Sequence, residues 1–130
     1  MDTFGTAIGK YAPDFELPGT DGTVHHLARL LEQHRAIAVV FMCNQLNFLY
    51  LRDVTQDVAA AFGAQKTPHV FLLNQQGVLC YKGAIDDHAQ DPGAVKTQYL
   101  KDAISAVLSG AAIAQSSTEP VGCSVKWRNS

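Results

Sequence analysis

The apolar run Ala36-Ile-Ala-Val-Val-Phe-Met42 leads without a break into Cys43-Asn44-Gln45-Leu46. A segment this short, this continuously apolar and this rich in β-branched side chains predicts a central strand buried on both faces. The chain has 130 residues, of which 47% are hydrophobic and 17% charged. That is enough for one real core and too little for two, so a single domain over 1–130 is expected, with its core at 10–110 and a C-terminal tail at 111–130.

Composition also excludes several function classes. A formal net charge of -2 supplies no field that would draw nucleic acid or an anionic membrane, so neither partner is expected. The start Met1-Asp-Thr-Phe-Gly5 lacks the basic-then-apolar pattern of a secretion signal, and no stretch is apolar for long enough to span a bilayer. A soluble, cytoplasmic protein is the expectation. The cysteines are Cys43, Cys80 and Cys123, far apart and odd in number, which rules out a disulfide scaffold.

Local signals divide the chain further. Lys10 to Val24, with Asp21-Gly22 at its bend, predicts a small hairpin. Leu27, Leu30, Leu31 and His34 recur at helical spacing and predict a short helix ending near 33–35. Phe48-Leu-Tyr-Leu51 can form a strand, and Thr55 can cap a helix that runs through Phe62 and stops at Gly63. His69–Leu73 and Val78–Lys82, joined by Asn74-Gln-Gln-Gly77, are the clearest antiparallel hairpin of the chain. Asp91 and Pro92 are suited to open the longest helix, lined by Val95, Tyr99, Leu100, Ala103, Ile104, Val107 and Leu108 and closed by Gly110. The small, polar stretch from Ala111 to Pro120 predicts a loose linker, followed by the tail Val121-Gly-Cys-Ser-Val-Lys-Trp127, which is expected to be exposed.

Several of these segments match a known pattern. Ala12-Pro-Asp-Phe-Glu-Leu17 followed by Asp21-Gly22, Val40-Phe-Met-Cys-Asn44, Thr67-Pro68, Gly83-Ala-Ile-Asp-Asp87 and Val121-Gly-Cys-Ser-Val-Lys-Trp127 together resemble the thioredoxin-like superfamily. The resemblance is to its peroxiredoxin-like (alkyl-hydroperoxide-reductase/thiol-specific-antioxidant, or redoxin) branch, and it runs from Lys10 to Trp127. It implies an α/β fold, a thioredoxin-like sheet with flanking helices. Such proteins continue past the position of Cys43-Asn44 with a second cysteine in a C-x-x-C arrangement and a helix-strand-helix insert. Here Gln45-Leu46 bridges the place where that insert is missing, and a leucine stands where the second cysteine would be.

The resemblance implies thiol chemistry at Cys43 and a substrate-binding role for Thr67 and Pro68. The proline of that motif is cis in the family, and its backbone offers strand-like hydrogen bonds to a thiol or peptide. Cys123 is the candidate for a resolving or mixed-disulfide thiol, while Cys80, inside a hairpin strand, reads as packing. The implied function is a thiol-dependent oxidoreductase, in thiol-disulfide exchange or a peroxide-linked antioxidant role, using an external thiol reductant and a thiol or peroxide substrate. The alternative is a non-catalytic binding module, or a truncated and inactive relative. A peroxidatic Pro-x-x-x-Thr/Ser-x-x-Cys signature does not precede Cys43, so direct peroxide reduction has little support.

No cofactor is implied. No metal site is expected either, because His25, His26, His69 and His88 show no ligand spacing with one another or with a cysteine. Assembly follows from a length: a parallel strand pair needs a crossover of about a dozen residues, and only 44–47 separate Cys43 from Phe48. Phe48–Leu51 therefore cannot replace the absent parallel strand. It either folds back antiparallel or leaves the apolar edge of 36–42 open, and a homodimer, or a strand-exchanged one, with 36–51 at or near its interface is expected.

Overall fold

The computed structural model describes residues 6–42, 56–87, 93, 95–120 and 123–124, the last two and Thr67 by backbone. It is a small α/β fold in which antiparallel sheets are flanked by helices. The expected segments Phe48–Leu51, Thr55, Asp91 and Pro92 lie outside the described residues, as does Cys43.

Strands β1 (Glu16–Pro18) and β2 (Val24–His26) form the predicted hairpin, in which Glu16 faces His26. Helix α1 (Leu27–Gln33) follows directly and presents Leu27 to the core. The main sheet has three strands in the order β3 (Ala36–Phe41), β5 (His69–Asn74) and β6 (Leu79–Gly83), all antiparallel to their neighbours. The Asn74–Gly77 turn holds because the Asn74 side-chain oxygen accepts the N–H groups of Gln76 (3.0 Å) and Val78 (3.1 Å), the local bonding that makes asparagine a turn former.

The expectation for 36–42 needs correction. Among the described residues β3 pairs only with β5, and it is half-buried with Ala38 exposed. The strand buried on both faces is β5, whose residues from His69 to Leu73 are all buried. Apolar runs on neighbouring strands look alike in sequence; position in the sheet decides which of them is covered twice.

On one face of the sheet, Phe71, Leu73 and Leu79 pack with Phe15, Leu27, Phe62 and Ala64, joined by Ile37, Val39 and Phe41 of β3. Phe62 belongs to α2 (Asp57–Phe62) and is nearly inaccessible, with ring centroids 5.3 Å from Phe71 and 5.6 Å from Phe41. Such tilted aromatic contacts add to what burial alone contributes. The N-cap of α2 is Gln56, not Thr55, and its other end matches expectation: Gly63 adopts φ +83° and donates its N–H to the carbonyls of Ala59 and Ala60.

On the opposite face, Val70, Leu72 and Tyr81 pack against α3 (Tyr99–Ser109) through Ala103, with Leu100, Ile104 and Val107 beside it. This helix begins later than predicted. Residues 95–98 are held by the loop before them instead: Lys96 N–H donates to the Asp87 carboxylate at 3.0 Å, Asp87 N–H to the Thr97 carbonyl at 3.2 Å, and Leu100 N–H to the Ile85 carbonyl at 3.0 Å. Gly110 ends the helix as expected, at φ +77°.

The tail is the largest departure. The predicted loose linker is docked: Lys82 N–H donates to the Ser116 carbonyl and Thr118 N–H to the Lys82 carbonyl, both at 3.0 Å, and Ser117 bridges Lys82 in parallel. Beyond it, β7 (Cys123–Ser124) pairs antiparallel with β4 (Lys66–Thr67), so the Cys123 backbone belongs to a ladder and is no free end. Among the described residues no helix is long and apolar enough to cross a membrane.

Candidate functional site

Of the predicted site residues, Thr67, Pro68 and the backbone of Cys123 come together beside the end of the main sheet where β5 begins, and Cys43 lies outside the described residues. Strand β3 ends at Phe41, directly opposite His69, the first residue of β5. Thr67 and Pro68 immediately precede that histidine, and Thr67 is the ladder partner of Cys123. Opposed residues in an antiparallel pair have their Cα atoms about 5 Å apart. Of the described segments, the end of β3 and β7 are the two that pair beside Thr67-Pro68.

His69 is the residue that sequence reasoning considered only as a metal ligand. Its ring is 4.5 Å from that of Phe71, and it is 5% exposed. Burial lowers its pKa to about 4, with the Lys82 ammonium adding a smaller push in the same direction. The Gln65 N–H donates to His69 Nδ1 at 3.1 Å, which places the proton of the neutral ring on Nε2. Such an imidazole is a hydrogen-bond donor and a poor base near neutral pH. Its position directly after Thr67-Pro68 was the only signal that could have drawn attention to it.

Cys80 behaves as packing was expected to. It is the extra residue of a bulge where β6 changes register between Leu72 and Leu73, which leaves it half-buried. Its thiol donates to the Val78 carbonyl at 3.4 Å, and burial pushes its pKa up. A thiol held protonated in this way is a weak nucleophile.

A second polar cluster lies where the tail docks. Tyr81, fully buried, donates its hydroxyl proton to the Ala84 carbonyl, and Thr118 Oγ1 lies 2.7 Å from the same hydroxyl while accepting the Ala84 N–H at 2.9 Å. With the Tyr81 proton committed to Ala84, Thr118 supplies its own to the phenol oxygen, and the network is satisfied. Burial raises the Tyr81 pKa, which keeps the phenol in the protonated form that the network needs.

Asp21, Thr23 and His25 look superficially like a relay, but their geometry excludes one. His25 Nε2 lies 3.1 Å from Thr23 Oγ1 and 3.0 Å from Asp21 Oδ2, so a single ring nitrogen serves both partners. A relay needs the acid and the hydroxyl on opposite nitrogens. The cluster stabilises a turn, and the His25 hydrogen bond, followed by that of the Thr23 backbone, lowers the Asp21 pKa to about 2. Among the described residues no group of three or more His, Cys, Asp or Glu side chains could hold a metal ion. A shallow groove lined by Arg35, Ala36, Ala38, Leu72, Ile104 and Leu108 lies toward the other end of β3, away from Thr67-Pro68.

No protein-family model matches the chain, and no curated protein matches it. Solved structures do match it, among them two of uncharacterised proteins. A hypothetical protein of Sinorhizobium meliloti 1021 is 25% identical with a TM-score of 0.81, over 99% of this chain and 100% of that one. An uncharacterized conserved protein of Geobacillus kaustophilus is 23% identical with a TM-score of 0.81, over 95% of this chain and 94% of that one. Both bear on the fold alone.

Proposed function

We propose that the chain is a thiol-dependent oxidoreductase of thioredoxin-like, peroxiredoxin-like type that works through Cys43. The observation that carries this reading is the convergence at Thr67-Pro68: β3 ends opposite His69, and Cys123 is in register with Thr67. The order of elements supports it as well. A strand leading to a cysteine, a Thr-Pro step, an antiparallel hairpin and a helix on one sheet face are what the thioredoxin-like resemblance implies once its helix-strand-helix insert is removed.

In the proposed reaction, the Cys43 thiolate attacks one sulfur of a substrate disulfide. The other sulfur leaves as a thiolate, and a mixed disulfide forms on Cys43. A second thiol, Cys123 or an external thiol reductant, attacks the Cys43 sulfur and expels the substrate as its second thiolate, and external thiol then reduces the disulfide left on Cys43. External thiol supplies both electrons and ends as a disulfide. The neutral His69 contributes a donor and a dry, apolar flank and does not act as the base, since its pKa is lowered to about 4.

The test is limited oxidation with a small disulfide or dilute peroxide, followed by mass spectrometry of the three cysteines. Modification is expected at Cys43 ahead of Cys80, whose pKa is raised. Equal or reversed order removes Cys43 from the mechanism.

A further inference from the structure

Resting on the reading of Thr67-Pro68 as a binding groove, we infer that the C-terminal segment is a latch over that groove. Thr118 anchors it, β7 closes one edge of β4, and an extended polypeptide partner that takes that same edge of Lys66–Thr67 does so by displacing β7.

The two parts of the segment are built differently. The anchor is permanent in character. Thr118 engages Lys82 through its backbone and Tyr81 and Ala84 through its hydroxyl, in a network that is partly buried. Gly83 makes room for it: at φ +141°, a Cβ there would fall on the oxygens of Thr118 and 2.8 Å from its N–H nitrogen. The latch is slight by comparison. It is a ladder of two residue pairs, Lys66 with Ser124 and Thr67 with Cys123, and among the described residues β4 has no other strand partner.

A backbone hydrogen bond contributes a net of about 1 kcal/mol, so a two-pair ladder alone would hold nothing for long. Tethering changes this. Only 119–122 separate Thr118 from Cys123, and so short a connection gives β7 an effective concentration on the order of millimolar at β4. The same edge, freed of β7, offers an incoming strand the main-chain pairing on which strand addition depends. The chain's own tail is therefore the resident occupant, and a partner's extended segment is the competitor.

The experiment uses a dye-labelled peptide with the sequence of residues 121–127 carrying Cys123→Ser, and follows its anisotropy. Three proteins are compared: the full chain, a chain ending at Pro120 that keeps Thr118, and the full chain with Ser124→Pro, which removes an N–H from β7 and fixes its φ. Saturable binding to both altered chains, at least about ten-fold tighter than to the full chain, is expected from the lost competition. A folded Pro120-terminated chain that does not bind, or equal binding to all three, overturns the latch. So does loss of folding in both altered chains, because β7 is then structural and not displaceable. The peptide has no thiol, so its binding is silent on Cys43 chemistry, and oxidation of Cys43 does not read strand exchange. Failure of one leaves the other standing.

Discussion

Along β6 the edge of the main sheet is closed by the chain itself, with Ser116 and Thr118 bonded to Lys82 and the Thr118 hydroxyl tied to Tyr81 and Ala84. Along β3, the other edge, β5 is the only strand partner among the described residues, and Ala38 is exposed. Unpaired strand edges recruit other chains, and proteins cover them or make them unattractive. The covered edge here uses specific polar chemistry around one glycine. The β3 edge carries apolar residues with no polar side chain among them. The first edge holds the anchor of the latch proposed above, while the latch itself lies on β4; the second is where we propose that a second copy docks.

The largest effect should come from the covered edge. Gly83→Ala puts a methyl group onto Thr118 at a φ that side chains rarely adopt. A loss of about 2–4 kcal/mol is expected in denaturant unfolding, with hydrogen exchange at Lys82 and Thr118 rising first. An unchanged midpoint would show that the tail contributes nothing to that edge.

Next is pH, which probes the sheet end where β3 meets β5. His69 has a folded pKa lowered to about 4 against an ordinary 6.5. As pH falls below 6.5 the unfolded chain takes up this proton while the folded chain does not, so stability decreases between pH 6.5 and 4 and levels off below. The loss should be on the order of 3 kcal/mol, and His69→Gln should flatten it. Asp21, held at about 2, adds a further decline in the same direction only below its ordinary value of 3.8. A stability flat from neutral pH to pH 4.5 would mean that His69 is not held neutral.

The smallest stability effect belongs to the β3 edge. Ala38→Lys should change monomer stability by no more than about 0.5 kcal/mol, because the site is exposed. We propose that this edge, with 36–51, forms the homodimer interface; light scattering should then show dimers for the unaltered chain and monomers for the Ala38→Lys chain. A stable monomer at tens of micromolar, with a melting temperature independent of concentration, removes the interface altogether.

What could be read from sequence follows the range of the interactions. Both hairpins and the ends of α2 and α3 at Gly63 and Gly110 were legible, since turn chemistry and capping involve residues a few positions apart. The order of strands was not, because β3 and β5 are both apolar runs and their burial depends on neighbours far along the chain. The late start of α3 was hidden by Asp91 and Pro92, which carry a good helix-start signal, while Asp87 ties the following backbone elsewhere. The tail was the least legible. Thr118 meets Tyr81 and Ala84 across 37 and 34 residues, and nothing periodic in 111–120 announces such contacts. Of the candidate site, Thr67, Pro68 and Cys123 were proposed from resemblance to a pattern; the register that joins Thr67 to Cys123 and the lowered pKa of His69 needed the fold.

The most direct test is the thiol pKa of Cys43, taken from the pH dependence of its alkylation rate in a chain carrying Cys80→Ser and Cys123→Ser. A working nucleophile at this position requires a value well below the free-cysteine pKa of about 8.5, and that is the result expected. A value above it would mark Cys43 as inert packing like Cys80 and contradict the oxidoreductase.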